Sequence, residues 1–500
     1  MKRVPWLRSL FLILFLASVV SAQDAPLPKQ YDLRKVNGVT PIKLQQGGTC
    51  WAHGTCAAIE SNLLVSGTWK KLGAKDLPSL SEYHLDWWNG FNRHKNNDLD
   101  DVAKSPTGLT VHNGGDYRVS AAYITRGDGI VCAPMKPDNS ADTTSWYKAI
   151  PELRHPEYKR FYVRDIEWFT LGDNLENIDV IKRRIMTEGA IGTAYCASGL
   201  APKGFVSKDF VHYQPIGHKA KPNHAVAIVG WDDEKVSADP NQKLPQPGAW
   251  LIKNSWGTKR GDQGYYWISY YDKVCCRDAE MGAASFRNVE PMKYHHVYHH
   301  DYHGWRGTMK EITKAANIFK ATTKQDIQSL SFYTTADNVK YTATIYSKFE
   351  NGKPTGERAA QTGEFKHTGF HTIDLAKAIR VEKDETFVIC VEVSGGGQAI
   401  DRTSEIEVLL RQPEPKKLVI QPKKIIIQPK PDVNQPKKEP PPRGPNGGPI
   451  VVSKANPGES FYFDGAMWRD LYDHRFDNPT WAVFDRSANF CMKALTVNVN

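Results

Sequence analysis

Residues 45–55, QQGGTCWAHGT, place Cys50 after small and polar residues and directly before a tryptophan, where a run with helical spacing begins. A thiol attacks a carbonyl well only as thiolate, so a nucleophilic cysteine needs a device that lowers its pKa. The first turn of a helix offers one, through unpaired N–H groups and the positive dipole end. A histidine that shares the thiol proton is a second. Among 16 histidines, His224 is set apart by context: in PNHAVAIVGWDD it opens a hydrophobic run that ends at a glycine. Asn254, in WLIKNSWG, closes the next strand-like run and can orient the imidazole, and Trp256 can shield that hydrogen bond from water. A tetrahedral intermediate also needs donors for its oxyanion. The Cys50 N–H and a side-chain amide from Gln45 or Gln46 are available. Taken singly, each residue has a plainer reading: a structural cysteine, a packing histidine, an Asn-Ser turn. Together and in this order they point to acyl transfer by a Cys-His-Asn set, with no cofactor and no metal.

These residues need elements to hold them. TCWAHGTCAAIESNLLVSG has apolar residues at helical spacing and ends at a glycine, which predicts a helix beginning at Trp51 with Cys50 at its start. DNLENIDVIKRRIMTEGA predicts a second helix, capped by Asp173 or Asn174 and stopped at Gly189. HAVAIVGWDD, GAWLIKNSW and GYYWISYYD read as strands. Helices first and antiparallel strands later give an α+β domain with two segregated lobes. From about Val289 the helical pattern fades. QSLSFYTT, KYTATIYSK, GFHTIDL, ETFVICVEV and SEIEVLLRQ are short strand-like runs, which predicts a β-sandwich or jelly roll. A stretch at 411–449 with recurring Gln-Pro interrupts it and predicts an extended, solvated insert; strand-like SFYFDG and NFCMKALTV follow it.

The bulk properties fit this division. A chain of 500 residues exceeds one hydrophobic core. Residues 1–22 combine Lys2, Arg3 and Arg8 with a short apolar run and small residues at Val20, Ser21 and Ala22, the pattern of a secretory signal peptide. The expected division is therefore 1–22 signal peptide, 23–288 α+β domain and 289–500 β domain, and the expected location is secreted, periplasmic or cell-surface. No later run is long and apolar enough for a membrane helix. The net charge is +10, but residues 411–443 alone carry nine Lys or Arg against three acids. The basic balance is thus mostly a property of the insert and is poor evidence for nucleic-acid binding. Eight cysteines lack paired CxxC spacing, so a structural zinc site is not expected.

GGTCWAHG, NHAVAIVGWDD and WLIKNSWGTKRGDQGYYWISYYD resemble the three signature blocks of papain-like (C1-type) cysteine peptidases. LSEYHLDWW resembles that family's serine-glutamate helix segment, and NGGDY at 113–117 its substrate-binding glycine pair. YHHDYHGW, AANIFKATTKQDIQSLSFYTT, GFHTIDL and NFCMKALT resemble the lectin-like domain that follows the peptidase domain in a mainly bacterial branch. The resemblance implies a two-lobed papain-like domain followed by a β-sandwich. It implies Cys50 as nucleophile, His224 as general base and acid, Asn254 as its orienting partner and Gln45 as the oxyanion donor, with Gln46 in reserve. Gly114, Gly115, Tyr117, Pro222, Asn223 and Trp256 would bind substrate. Protein or peptide substrates follow, with carbohydrate or a cell-surface polymer as a partner for the β domain. The sequence also departs from the family. The loop before Cys50 lacks the usual disulfide cysteine, and Arg260 stands where a second tryptophan is usual. His53, in place of the common aromatic, is expected to pack and hydrogen-bond internally. The histidines of HHVYHH and His303 are expected to be exposed. Only eight residues separate Ala22 from Tyr31, which leaves no room for an inhibitory propeptide. The rival reading is a surface or glycan-binding protein whose peptidase-like domain is catalytically weak.

Overall fold

A computed structural model describes residues 26–96, 98, 107–132, 144–200, 203–278, 281–409, 443–476 and 484–499. The expected signal peptide, 1–22, lies outside the described residues, as does 411–442 of the proline-rich stretch.

The helix Cys50–Val65 is the axis of the N-terminal half. It is buried on nearly every side, from Cys50 through Leu63. Its small and apolar residues run all the way round, as a helix enclosed by neighbours requires. On one side it meets helices Glu82–Trp88 and Tyr117–Thr125. On the other it meets strands His224–Asp232 and Ala283–Pro291. The helix expected from Asp173 or Asn174 begins later, at Ile178, with Asn177 as its N-cap. Asn174 and Glu176 bond each other in a local turn instead, and Asn177 Nδ2 donates to Thr170 O. Such side-chain bonds compete with helix initiation. The helix stops at Gly189, whose φ of +100° suits a residue without Cβ.

The strands of the second lobe continue into the C-terminal half as one sheet. In spatial order it runs 211–212, 265–269, 249–253, 224–232, 191–195, 283–291, 159–169, 369–381, 325–334, 492–498 and 296–298. The junction is the pairing of Phe370 with Ile166 and Gly369 with Glu167. Residue 289 falls inside Ala283–Pro291, a strand paired along its length with Lys159–Phe169. A six-stranded sheet, 353–365, 339–350, 386–393, 314–320, 460–463 and 468–470, packs on the C-terminal part to close a sandwich. Leu330, Phe332, Ile345, Phe387 and Ile389 lie in its core. The fold class is thus the expected one, α+β with a β-sandwich behind it.

Two expectations are corrected. Over its described residues, 404–409, SEIEVLLRQ supplies no long sandwich strand: Ser404 and Glu405 pair with Val451 and Ile450, and the chain then leaves the sandwich and reaches Gly115 at Leu409. The end of the insert, 443–449, is an ordered turn. The Glu405 carboxylate accepts from Asn446 N and Gly448 N, which a solvated coil would not provide.

His84, on the helix Glu82–Trp88, gives a test of how this region is held. Nδ1 lies 2.6 Å from the Tyr123 hydroxyl and Nε2 3.2 Å from Glu152 O, a set that suits neutral imidazole. Burial lowers its pKa from 6.5 to about 4. The unfolded chain therefore takes up a proton near pH 6.5 that the native state refuses until about pH 4. Native stability should fall by on the order of 3 kcal/mol as pH drops through that window. Urea unfolding midpoints across the window check this, and His84→Gln should flatten that part of the profile.

Candidate active site

Cys50 is the first residue of its helix, with Thr49 as N-cap. Its thiol is completely buried. Burial pushes its pKa up to about 12, opposed by the backbone N–H groups of Ala225, Trp51 and Cys50 itself. The Ala225 contact places the sulfur beside the residue that follows His224, so the His224 strand begins over the helix start. A thiol enclosed in this way stays protonated at neutral pH.

His224 is also fully buried. Its Nε2 lies 2.8 Å from Asn254 Oδ1. Asn254 Oδ1 accepts from Ser255 N at 2.8 Å as well, which identifies that amide atom as the oxygen. Nε2 therefore carries a proton, and Nδ1 is the nitrogen of this tautomer that can take one up. The Trp256 indole stacks on the imidazole at 4.3 Å and 28°. The ring covers the His224–Asn254 bond on that side.

Of the two candidate glutamines, Gln45 is buried beside this pair and Gln46 is more exposed. Residues 43–45 run antiparallel to 255–257, through Gln45 N to Ser255 O at 2.8 Å and Gly257 N to Lys43 O at 3.1 Å. Gln45 Oε1 accepts from Ser255 Oγ, which fixes the amide, and Nε2 donates to Gly47 O. Gln46 N donates to the Tyr83 hydroxyl, so that residue is held toward the helical side.

The expected substrate-binding residues divide. Gly114 N donates to Gly48 O, tying the glycine pair to the Cys50 loop. Gly115 lies flat on Trp51, where an added Cβ would come within 2.6 Å of the indole. Pro222 lines a groove of about 720 Å3 between the two halves of the chain. Asn223 pairs with the backbone of Ala197. Tyr117 is wholly buried, and its hydroxyl donates to Thr193 O and Val226 O, which places the phenol between the lobes and not on an open wall.

Two features behind the site were not read from the sequence. Glu60 on the Cys50 helix accepts from Lys43 Nζ at 2.8 Å and Thr40 Oγ1 at 2.5 Å, and Lys253 Nζ donates to Thr40 Oγ1. Lys43 also reaches Glu82 at 2.6 Å. The second feature is Leu409: its N–H donates to Gly115 O at 3.1 Å, and its carbonyl oxygen lies 3.7 Å from Cys50 Sγ. His53 packs as expected, with Nδ1 2.9 Å from Thr49 O.

The histidines of HHVYHH and His303 need a correction, because they are not all exposed. His303 is buried, with Nδ1 2.8 Å from Ser453 Oγ and 3.5 Å from Asp98 Oδ2. His300 stacks on Phe319. The eight cysteines are all buried free thiols.

Residues 27–93 and 107–285 match the papain family cysteine protease model, and 297–411 match the lectin-like domain model. Human cathepsin L2 is 27% identical over 264 residues, 53% of this chain and 66% of that protein. Bovine pro-cathepsin H is 28% identical over 256 residues, 50% of this chain and 62% of that protein. The chain thus spans about two thirds of the length of these relatives. A structure of the cysteine protease and lectin-like domains of Cwp84, a surface layer associated protein of Clostridium difficile, superposes with a TM-score of 0.62 at 21% identity, covering 95% of this chain and 90% of that one. A second structure of Cwp84, after propeptide cleavage, gives 0.63 at 21% identity, covering 94% of this chain and 99% of that one. The chain belongs to the papain family of cysteine proteases and carries a lectin-like domain C-terminal to its protease domain.

Proposed function

We propose that this chain is an exported cysteine endopeptidase, with Cys50 as nucleophile, His224 as general base and acid, Asn254 as the group that orients the imidazole, and Gln45 with the Cys50 N–H as oxyanion donors. The division at 288/289 between the peptidase and lectin-like parts belongs to the same reading. The observation that carries it is the His224 Nε2 to Asn254 Oδ1 bond under the Trp256 ring, over a cysteine at a helix start. Proton transfer from Cys50 to His224 makes the thiolate, which attacks the peptide carbonyl. The oxyanion accepts from the Gln45 side-chain amide and the Cys50 N–H. His224 then protonates the leaving amine, and water activated by His224 hydrolyses the thioester. Export rests on residues 1–22 and on the surface association of Cwp84. Among the described residues no helix is long and apolar enough to cross a membrane. The lectin-like part, 297–411, would supply the contact to carbohydrate or a cell-surface polymer.

Because Leu409 covers the thiol, the assay uses the Leu409→Asp chain and a peptidyl aminomethylcoumarin. With leucine two residues before the cut, hydrolysis should be faster than with aspartate there by about 10–100-fold, since an apolar side chain gains from burial and an unpaired charge loses. Selection for the charged residue would contradict an apolar site beside Pro222 and Asn223, the expected substrate residues left once Tyr117 is seen to be enclosed between the lobes. Gln45→Ala should lower kcat on the order of 10²-fold with little change in KM, because the oxyanion forms only after attack. Equal loss from Gln46→Ala, with Gln45→Ala unaffected, would move the role to Gln46.

A further inference from the structure

The chain leaves the sandwich at Ser404 and runs to Cys50. Ser404 and Glu405 pair with Val451 and Ile450. Ile406 N donates to Pro449 O at 3.0 Å. Ile450 O in turn accepts from Gly108 N at 2.7 Å, which ties this ladder to the protease half. Arg306 adds two bonds, to Ser404 Oγ and Glu405 O. Beyond these anchors Ile406 and Leu409 are completely buried and belong to the same apolar cluster as Cys50, Trp51 and Tyr117. Leu409 lies antiparallel to Gly115.

We propose that residues 406–409 act as a built-in substrate mimic: an extended strap from the lectin-like half that pairs with Gly115, sets the Leu409 carbonyl against the Cys50 thiol, and holds the protease inactive until it is displaced. The proposal rests on the peptidase reading of the same site. Two features distinguish the strap from ordinary packing between domains. It uses the backbone of the glycine that the family resemblance assigns to substrate, in the antiparallel sense in which an extended peptide adds to an edge. It also ends at the sulfur, where its carbonyl oxygen is the hydrogen-bond acceptor for the thiol. An incoming peptide needs both positions, so strap and substrate exclude each other. Intramolecular tethering makes the strap a strong competitor even if its contacts are modest, because its effective concentration at the cleft is high. The buried, protonated state of Cys50 is what such a cover produces.

The test reads access to the thiol separately from catalysis. The full chain, Leu409→Asp and Glu405→Ala are treated with iodoacetamide, and alkylation of the Cys50 peptide is followed by mass spectrometry. Leu409→Asp puts a carboxylate where no charge is solvated and should expel the strap. Glu405→Ala loosens the 443–449 turn by removing the acceptor of Asn446 N and Gly448 N, and serves if the first variant does not fold, which cooperative unfolding will show. Leu409→Asp should alkylate Cys50 at least about 10-fold faster than the full chain, as expected when a buried leucine contact is lost, and Glu405→Ala should also be faster than the full chain because the turn that anchors the strap loses its acceptor. An acetylated peptide of residues 403–409 should slow the reaction of the opened chain. Folded variants that alkylate at the full chain's rate, or a peptide that gives no protection, would overturn the strap. Faster alkylation without any peptide hydrolysis would overturn the peptidase reading and leave the strap standing.

Discussion

Cys50→Ala, introduced into the Leu409→Asp chain, should lower kcat for peptide hydrolysis by on the order of 10⁴-fold or more, because the acyl-enzyme can no longer form. The fold should survive. The substitution removes one buried sulfur at a helix start, where alanine is well tolerated, and leaves the Thr49 cap backbone unchanged. His224→Ala should cost a comparable factor, since nucleophile and base act as one unit, and the double variant should be little worse than either single one. A Cys50→Ala chain that keeps more than about a hundredth of the parent rate would contradict the assignment, as would losses that multiply independently. A fall in unfolding midpoint matching the loss of activity would point to a structural role instead.

The second large effect is on stability, at Glu60. Its fully buried carboxylate faces Lys43 and Thr40, and Lys253 donates to the same threonine. Burial pulls the Lys253 pKa down to about 8, with the Glu60 charge opposing. Glu60 also accepts from Leu80 N at 2.8 Å. Glu60→Ala would leave two lysines with a single carboxylate, Glu82, and a buried N–H without its acceptor. Breaking a buried ion cluster in this way costs about 3–5 kcal/mol. The urea midpoint should drop accordingly, and activity should follow because Glu60 lies on the Cys50 helix. Glu60→Gln, which keeps the shape and an acceptor oxygen, should recover part of the loss. An unchanged midpoint in Glu60→Ala would show that the cluster is hydrated and contributes little.

How much of this was legible in the sequence depended on how local the signal was. The Cys50 helix, the His224 strand and the Gly189 stop follow from spacing and from residues with strong backbone preferences, and all three are in place. The start of the second helix was misplaced because Asn174 and Glu176 prefer each other to the helix, a choice between two locally reasonable caps. The alternation in SEIEVLL reads the same whether its partner is a sandwich strand or Gly115, far away in the chain, and no local pattern distinguishes them. The polar character of 443–449 hid an ordered turn that exists only because the Glu405 carboxylate gathers its N–H groups. His300 and His303 looked like surface residues because only tertiary packing supplies Phe319, Ser453 and the Asp98 carboxylate beside them. The Glu60 cluster was invisible for the same reason: Lys43, Glu60, Glu82 and Lys253 come from separate parts of the chain. For the candidate site, residue types marked Cys50, His224 and Asn254, whereas the choice between Gln45 and Gln46 rests on Ser255 Oγ, which the sequence does not connect to either.

The most direct measurement is the position of a covalent adduct. The Leu409→Asp chain is incubated with an epoxysuccinyl peptide inhibitor, whose epoxide carbon is opened by an activated thiolate, and the digest is mapped by mass spectrometry. A single adduct on the peptide that contains Cys50, formed in step with loss of hydrolysis and absent after His224→Ala, is the expected result. An adduct on any of the other cysteines, or hydrolysis that continues with Cys50 fully labelled, would contradict it.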